Sequence, residues 1–188
     1  MAQKYENQGD VLLVMDIHTS IPKISQGSMS LLKSIERAIE KARKINIPII
    51  YVAMSSNERV TVSNKRIIPQ NRTQSDLENV IKLLPTTSSL SISPSDEDII
   101  IIKKRMSAFS GSDLQIILKS LNARHLVLSG YATSGVVLST VRDAADRDYQ
   151  ITVLSDCCGD LDEEVHNVLI KKVFPLQADV LQTDNWLS

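Results

Sequence analysis

Short runs rich in Val, Ile and Leu alternate along the chain with stretches in which apolar residues recur at helical spacing. The runs cover 11–15, 47–53, 99–102, 125–129 and 150–154, with a weaker sixth at 178–181. Continuous apolarity, rather than strict alternation, marks strands buried on both faces. Between the first two runs, Leu31, Leu32, Ile35, Ala38, Ile39 and Ala42 repeat every three or four positions, and the pattern stops at Asn46 and Pro48. This predicts a helix over 31–44 with one core face. Further helical patterns cover 74–84, 112–121, 134–147 and 162–172. The order is a repeated strand–helix alternation, which predicts an α/β fold. Its expected form is a three-layer α/β/α, Rossmann-like arrangement: a mostly parallel sheet of about six strands, helices on both faces and right-handed crossovers. In such sheets ligands bind beyond the carboxyl ends of the strands. Functional residues are therefore expected just after each apolar run.

The run at 125–129 leads into Gly130-Tyr131-Ala132-Thr133-Ser134-Gly135-Val136-Val137 and then directly into a helical pattern. This reads as a strand-to-helix turn. The unsatisfied N–H groups at the start of such a helix carry partial positive charge and can hold a carboxylate, a phosphate or a developing oxyanion. No obvious nucleophile accompanies them.

Composition narrows the function classes. The 188 residues suit one ordinary domain, predicted over 10–188 behind a flexible tail at 1–9, with a packed core that needs no staples. Lys plus Arg number 21 against 22 for Asp plus Glu, a balance that gives no support to a nucleic-acid or membrane-surface partner. The apolar runs fall far short of the roughly 20 residues that span a bilayer. Cys157 and Cys158 are adjacent and cannot form a disulfide framework, which fits a reducing compartment. The polar N-terminus lacks a secretory pattern, and a cytoplasmic location is expected.

Three strand ends carry candidate chemistry. Asp16 ends the first run, where burial would raise its pKa and suit it to proton transfer; a helix cap or a structural acceptor is the simpler reading of an isolated Asp. His18 follows in the same loop as a candidate polar contact. Lys103 heads Lys103-Lys104-Arg105-Met106-Ser107-Ala108-Phe109, where three cations could orient an anionic substrate and one could pair with Asp16. A solvated basic turn is the alternative.

Together these segments resemble the isochorismatase-like hydrolases, the superfamily that includes nicotinamidases and other cysteine amidohydrolases. The resemblance spans nearly the whole chain, from about Val11 to Asp184. It is carried by Leu12-Leu13-Val14-Met15-Asp16, Lys103 with Ser107-Ala108-Phe109, Gly130 with Thr133, and Asp143-Ala144-Ala145. It implies catalytic roles for Asp16 and Lys103. Substrate-binding or oxyanion roles fall to His18, Arg105, Tyr131, Ala132, Thr133, Gly135 and Val136. It further implies a cis peptide between Tyr131 and Ala132, and a homo-oligomer. The family pattern Gly-x-x-Thr-x-x-Cys, laid on Gly130 and Thr133, puts Val136 at the cysteine position, and valine has no nucleophilic atom. Cys157 and Cys158 are expected in a loop after the next strand. Metal-dependent nicotinamidases use an Asp and histidines after the second strand, whereas 54–69 here holds no His and only Glu58 as an acid. No metal and no cofactor are expected.

Two functions follow. One is a non-covalent hydrolase of a small carboxylate- or amide-bearing metabolite, with Asp16 as acid/base and with Lys103 and Arg105 holding carboxylates. The other is a catalytically inactive small-molecule-binding protein on the same scaffold. Attack by Ser134 or Thr133 would need a histidine that the sequence does not place. Specificity is expected in the loops 19–28 and 55–73, and 55–74 could form a long loop over the site.

Overall fold

Residues 9–18, 28–54 and 90–187 are described here from a computed structural model. Six parallel strands form one sheet: β1 (Asp10–Met15), β2 (Ile49–Met54), β3 (Ile99–Lys103), β4 (His125–Tyr131), β5 (Gln150–Gly159) and β6 (Asp179–Leu181). Their order across the sheet is β3-β2-β1-β4-β5-β6. The chain builds outward from β1 on one side, then returns to its other side with β4. The topological switch point therefore lies between β1 and β4, where open α/β sheets bind ligands at the carboxyl end. Met15 pairs with Gly130 there, so Asp16 and Tyr131 leave the sheet side by side.

Helices cover both faces, as the strand–helix alternation predicts. Helix α1 (Ser28–Lys44) buries Ile35, Ala38, Ile39 and Ala42 against Leu12, Val14, Tyr51 and Val127. It ends at a left-handed Asn46 (φ 57°), a conformation that asparagine tolerates, followed by Pro48. Helices α2 (Leu114–Ser120) and α3 (Leu138–Ala145) cover the opposite face, where Leu114, Leu118, Val141 and Ala144 pack on Leu13, Met15, Val52 and Leu128. Helix α4 (Glu163–Val168) is capped by Asp162, which accepts the N–H groups of Glu164 and Val165. Among the described residues no helix is long and apolar enough to cross a membrane.

Four local expectations change. β3 is an edge strand whose Ile100 and Ile102 are exposed, at 46% and 37%, so a continuous apolar run does not mean two buried faces here. The pattern at 134–147 opens as a π-helical turn, Thr133–Val137, before α3, and the pattern at 162–172 splits into α4 and a second π turn, Leu169–Val173. β5 runs on to Gly159 with a bulge. Leu128 pairs with Val153 but Gly130 with Cys158, so β5 carries three extra residues between those pairs. Cys157 and Cys158 consequently lie inside β5 rather than in a loop after it. The helix expected at 74–84, the loop expected at 55–73 and all of the loop expected at 19–28 except Ser28, which opens α1, lie outside the described residues.

Candidate active site

β1 is followed by Asp16, whose backbone is left-handed (φ 55°), a region that Asp enters at less cost than most residues. The Asp16 N–H donates to the Val52 carbonyl at 2.9 Å, which holds this turn against β2. Two strands away, Lys103 ends β3 on the same face as Ile101. Its side chain is wholly buried and reaches across the end of β2, so that Nζ lies 2.9 Å from Asp16 Oδ2. Nζ also donates to the Arg105 carbonyl at 3.0 Å. Burial pushes the Asp16 carboxyl above its ordinary value, and the Lys103 ammonium offsets this only in part. The other carboxyl oxygen, Oδ1, is buried and accepts no hydrogen bond from a described residue. A carboxyl whose neutral form burial favours, with one oxygen that has no partner among the described residues, is equipped to exchange a proton with a bound molecule.

Beside Asp16, the Tyr131–Ala132 peptide is cis, as the resemblance implies. The Ala132 carbonyl accepts from the N–H groups of Gly135 (3.1 Å) and Val137 (3.3 Å), closing the π turn. Among the described residues, none accepts the N–H of Ala132 or Thr133. These donors sit at the positive end of the helical segment that continues into α3. Val136 is buried in the core on the α3 side of the sheet. Gly130 must be glycine: a Cβ there would lie 2.7 Å from the Met15 carbonyl oxygen and 3.0 Å from Met15 Cβ. Gly130→Ala is expected to destabilise the fold by about 1–3 kcal/mol by forcing β1 and β4 apart. Thermal unfolding against Gly135→Ala checks this, since a Cβ at Gly135 crowds only the flexible end of Met106 and touches the Ala132 Cβ at an ordinary 3.8 Å.

The segment after β3 is clipped to α3. Ser107 Oγ donates to Asp143 Oδ2 at 2.6 Å, and the Ala108 N–H donates to Thr140 Oγ1 at 3.0 Å. Arg147 pairs with Asp143 and lies 4.7 Å over the Phe109 ring, which itself stacks on Tyr149. Ser107, Ala108, Phe109 and Asp143 thus tie the loop that follows Lys103 to the helix that follows the turn.

This arrangement of strand ends, ion pair and turn can be set beside known proteins. The isochorismatase domain model matches residues 10–185. The chain belongs to the isochorismatase family. It is 26% identical over 183 residues to the uncharacterized isochorismatase family protein YecD of Escherichia coli O157:H7, covering 94% of each chain. It is 28% identical over 198 residues to an Arabidopsis thaliana protein described as a "probable inactive nicotinamidase", covering 96% of each. Among solved structures it shares the fold of a cysteine hydrolase from Pseudomonas syringae pv. phaseolicola. That match has a TM-score of 0.77 at 17% identity and covers 94% of this chain and 89% of the other.

Several residues singled out in this isochorismatase-family sequence do not join the Asp16–Lys103 pair directly. His18 is buried and bridges antiparallel to Leu90, and burial holds its imidazole below the ordinary value. Arg105 is exposed, and its guanidinium donates to the Lys104 carbonyl. Its carbonyl, not its charge, touches the pair. Lys104 is exposed too, so of the three consecutive cations only Lys103 enters the interior. Tyr131 is buried among residues on the α1 side. Cys157 Sγ lies 3.0 Å from Thr183 Oγ1, and burial pushes its thiol up to about 12; burial raises the Cys158 thiol as well. Neither is a ready thiolate. Among the described residues, no group of three His, Cys, Asp or Glu gathers to hold a metal, and of the stretch 54–69 only Met54 is described.

Two residues at the site escaped the sequence reading. His166 Nδ1 lies 2.8 Å from Thr133 Oγ1, and Asp160 Oδ2 accepts the Ser134 N–H at 2.6 Å. No local pattern marks either residue, since each reaches the turn from beyond the β5 bulge.

Proposed function

We propose that the protein is a hydrolase of a small carboxylate- or amide-bearing metabolite that works without a covalent intermediate. Residues 10–188 form its single domain. Asp16 supplies the acid. Burial favours the neutral form of its carboxyl, and Oδ1, which has no partner among the described residues, hands the proton to the leaving atom of the scissile bond. Lys103 fixes the carboxyl by its 2.9 Å contact and neutralises the carboxylate left after transfer. The N–H groups of Ala132 and Thr133 hold the substrate's carbonyl or carboxylate oxygen, with Tyr131, Gly135 and Val136 shaping the turn around it. His18 and Arg105 border the bound molecule; water adds its oxygen to the other fragment and returns its released proton to the Asp16 carboxylate. The buried Asp16–Lys103 pair carries this reading. At the position where the resemblance lays the family's cysteine, buried Val136 offers no atom that could form an acyl-enzyme.

Val136 equally supports a second reading, a binding protein that keeps the pocket without chemistry, and the likeness to a protein described as an inactive nicotinamidase adds weight to it. One experiment separates the two. The protein and its Val136→Cys variant are assayed on nicotinamide, N-carbamoyl amino acids and enol-ether carboxylates. The acid-catalysed reading expects turnover by the unaltered protein, with kcat/KM falling as pH rises and Asp16 loses its proton. Amide hydrolysis confined to Val136→Cys favours the binding protein. A rate that does not fall with rising pH excludes Asp16 as the acid.

A further inference from the structure

The turn that follows β4 is not capped by its own sequence. Ala132 stands at the cap position and has no side-chain acceptor to offer, whereas Ser, Thr, Asp or Asn would supply one. The missing partners come from the connection between β5 and α4 instead. Asp160 Oδ2 takes the Ser134 N–H at 2.6 Å. One turn further on, His166 Nδ1 meets the wholly buried Thr133 hydroxyl at 2.8 Å. The two side chains hold the two residues that follow Ala132, whose own N–H has no acceptor among the described residues. The bulge in β5 makes this possible, because it sets Gly159 opposite Tyr131 and delivers Asp160 level with the turn.

We propose that His166 and Asp160 are positioning residues that orient the Thr133–Val137 turn, and thereby set how firmly the N–H groups of Ala132 and Thr133 hold the oxygen of a bound carboxylate or carbonyl. The proposal rests on the reading of this turn as the oxyanion cradle. Neither residue touches the substrate; each acts through the backbone it holds. π turns recur at functional sites because the wider turn frees N–H groups from the regular ladder, and such a turn needs outside support. Asp160 gives a fixed support. His166 gives one whose polarity depends on protonation: the neutral ring can accept the Thr133 proton at Nδ1, while the imidazolium can only donate there. Burial lowers the His166 pKa; Asp160 and Glu163 oppose this, and Lys171 adds to it. Burial, the largest of these causes, favours the neutral ring, so the reversal of the bond is expected below the ordinary imidazole value.

The test is direct and needs no substrate. In the full-length 15N-labelled protein, the amide signals of Ala132, Thr133 and Ser134 are followed from pH 7.5 to 5 beside the ring nitrogens of His166. The amides are expected to shift with the same midpoint as the ring, and His166→Asn, which can hold Thr133 but does not titrate, is expected to abolish that shift. Turn amides that titrate independently of His166 overturn the proposal. Benzoate serves as the carboxylate probe. Thr133→Val is expected to weaken its binding about tenfold at pH 7, and Thr133→Ser to restore it. Equal benzoate affinity in Thr133→Val and the unaltered protein also overturns the proposal. If benzoate binds neither, while the amides still follow His166, the cradle reading fails and the positioning of the turn stands.

Discussion

Asp16→Asn is expected to lower turnover by about 10²- to 10⁴-fold, the range associated with a positioned proton donor or acceptor. The amide keeps the shape of the carboxyl but cannot release a proton at Oδ1, where the native side chain has no partner among the described residues. The loss should fall on kcat rather than on binding, because the turn that holds the ligand is untouched. Steady-state kinetics on a substrate found in the panel, with benzoate affinity alongside, separates the two. A variant that loses benzoate binding and turnover in proportion would place Asp16 in ligand binding instead of proton transfer.

The second large effect concerns stability. Lys103→Met is expected to cost about 3–5 kcal/mol at pH 8, since it leaves the Asp16 carboxylate buried without its cation. The sign of the pH dependence follows from linkage. Asp16 already titrates above its ordinary value in the folded protein, and loss of Lys103 raises it further. The folded state then holds a proton that the unfolded chain releases near pH 4, so stability falls as pH rises from there through the folded value. Urea unfolding should show a wider gap between variant and unaltered protein at pH 8 than at pH 5. The double variant Asp16→Asn/Lys103→Met should recover much of the loss, because no buried charge remains. A single variant equally unstable at both pH values would mean that Lys103 acts through packing, not charge.

Much of this architecture is legible in the chain because parallel strands leave a plain mark: the runs at 11–15, 47–53, 99–102 and 125–129 each became a strand shifted by two residues or fewer at either end. Asp16 and Lys103 were visible for a related reason, as polar residues directly after such runs. What the pattern omits is position across the sheet. Ile100 and Ile102 look like core residues in sequence, yet β3 is an edge strand and exposes both. Contacts between distant elements are equally silent. Ser107 and Asp143 were each noticed, but their hydrogen bond joins a loop and a helix that only the fold brings together. His166 sits within a short helix that buries none of its residues, where nothing local separates a histidine that holds Thr133 from one on a solvated face. The β5 bulge is hidden because Ser155 and Asp156 read as the start of a loop, although the strand continues through them.

Side chains on a strand change face at every residue, so an odd number of extra residues inverts the count. The three in β5 do so: Cys157 packs toward α1 and Cys158 toward α3, the reverse of what simple alternation from Val153 and Leu154 would give. Parity is therefore a constraint on how this strand can change length. Gaining or losing two residues between Leu154 and Cys157 keeps both thiols on their faces. Gaining or losing one exchanges the two faces, moving Cys158 from the α3 side to the α1 side and presenting Asp160 from the wrong side of the sheet.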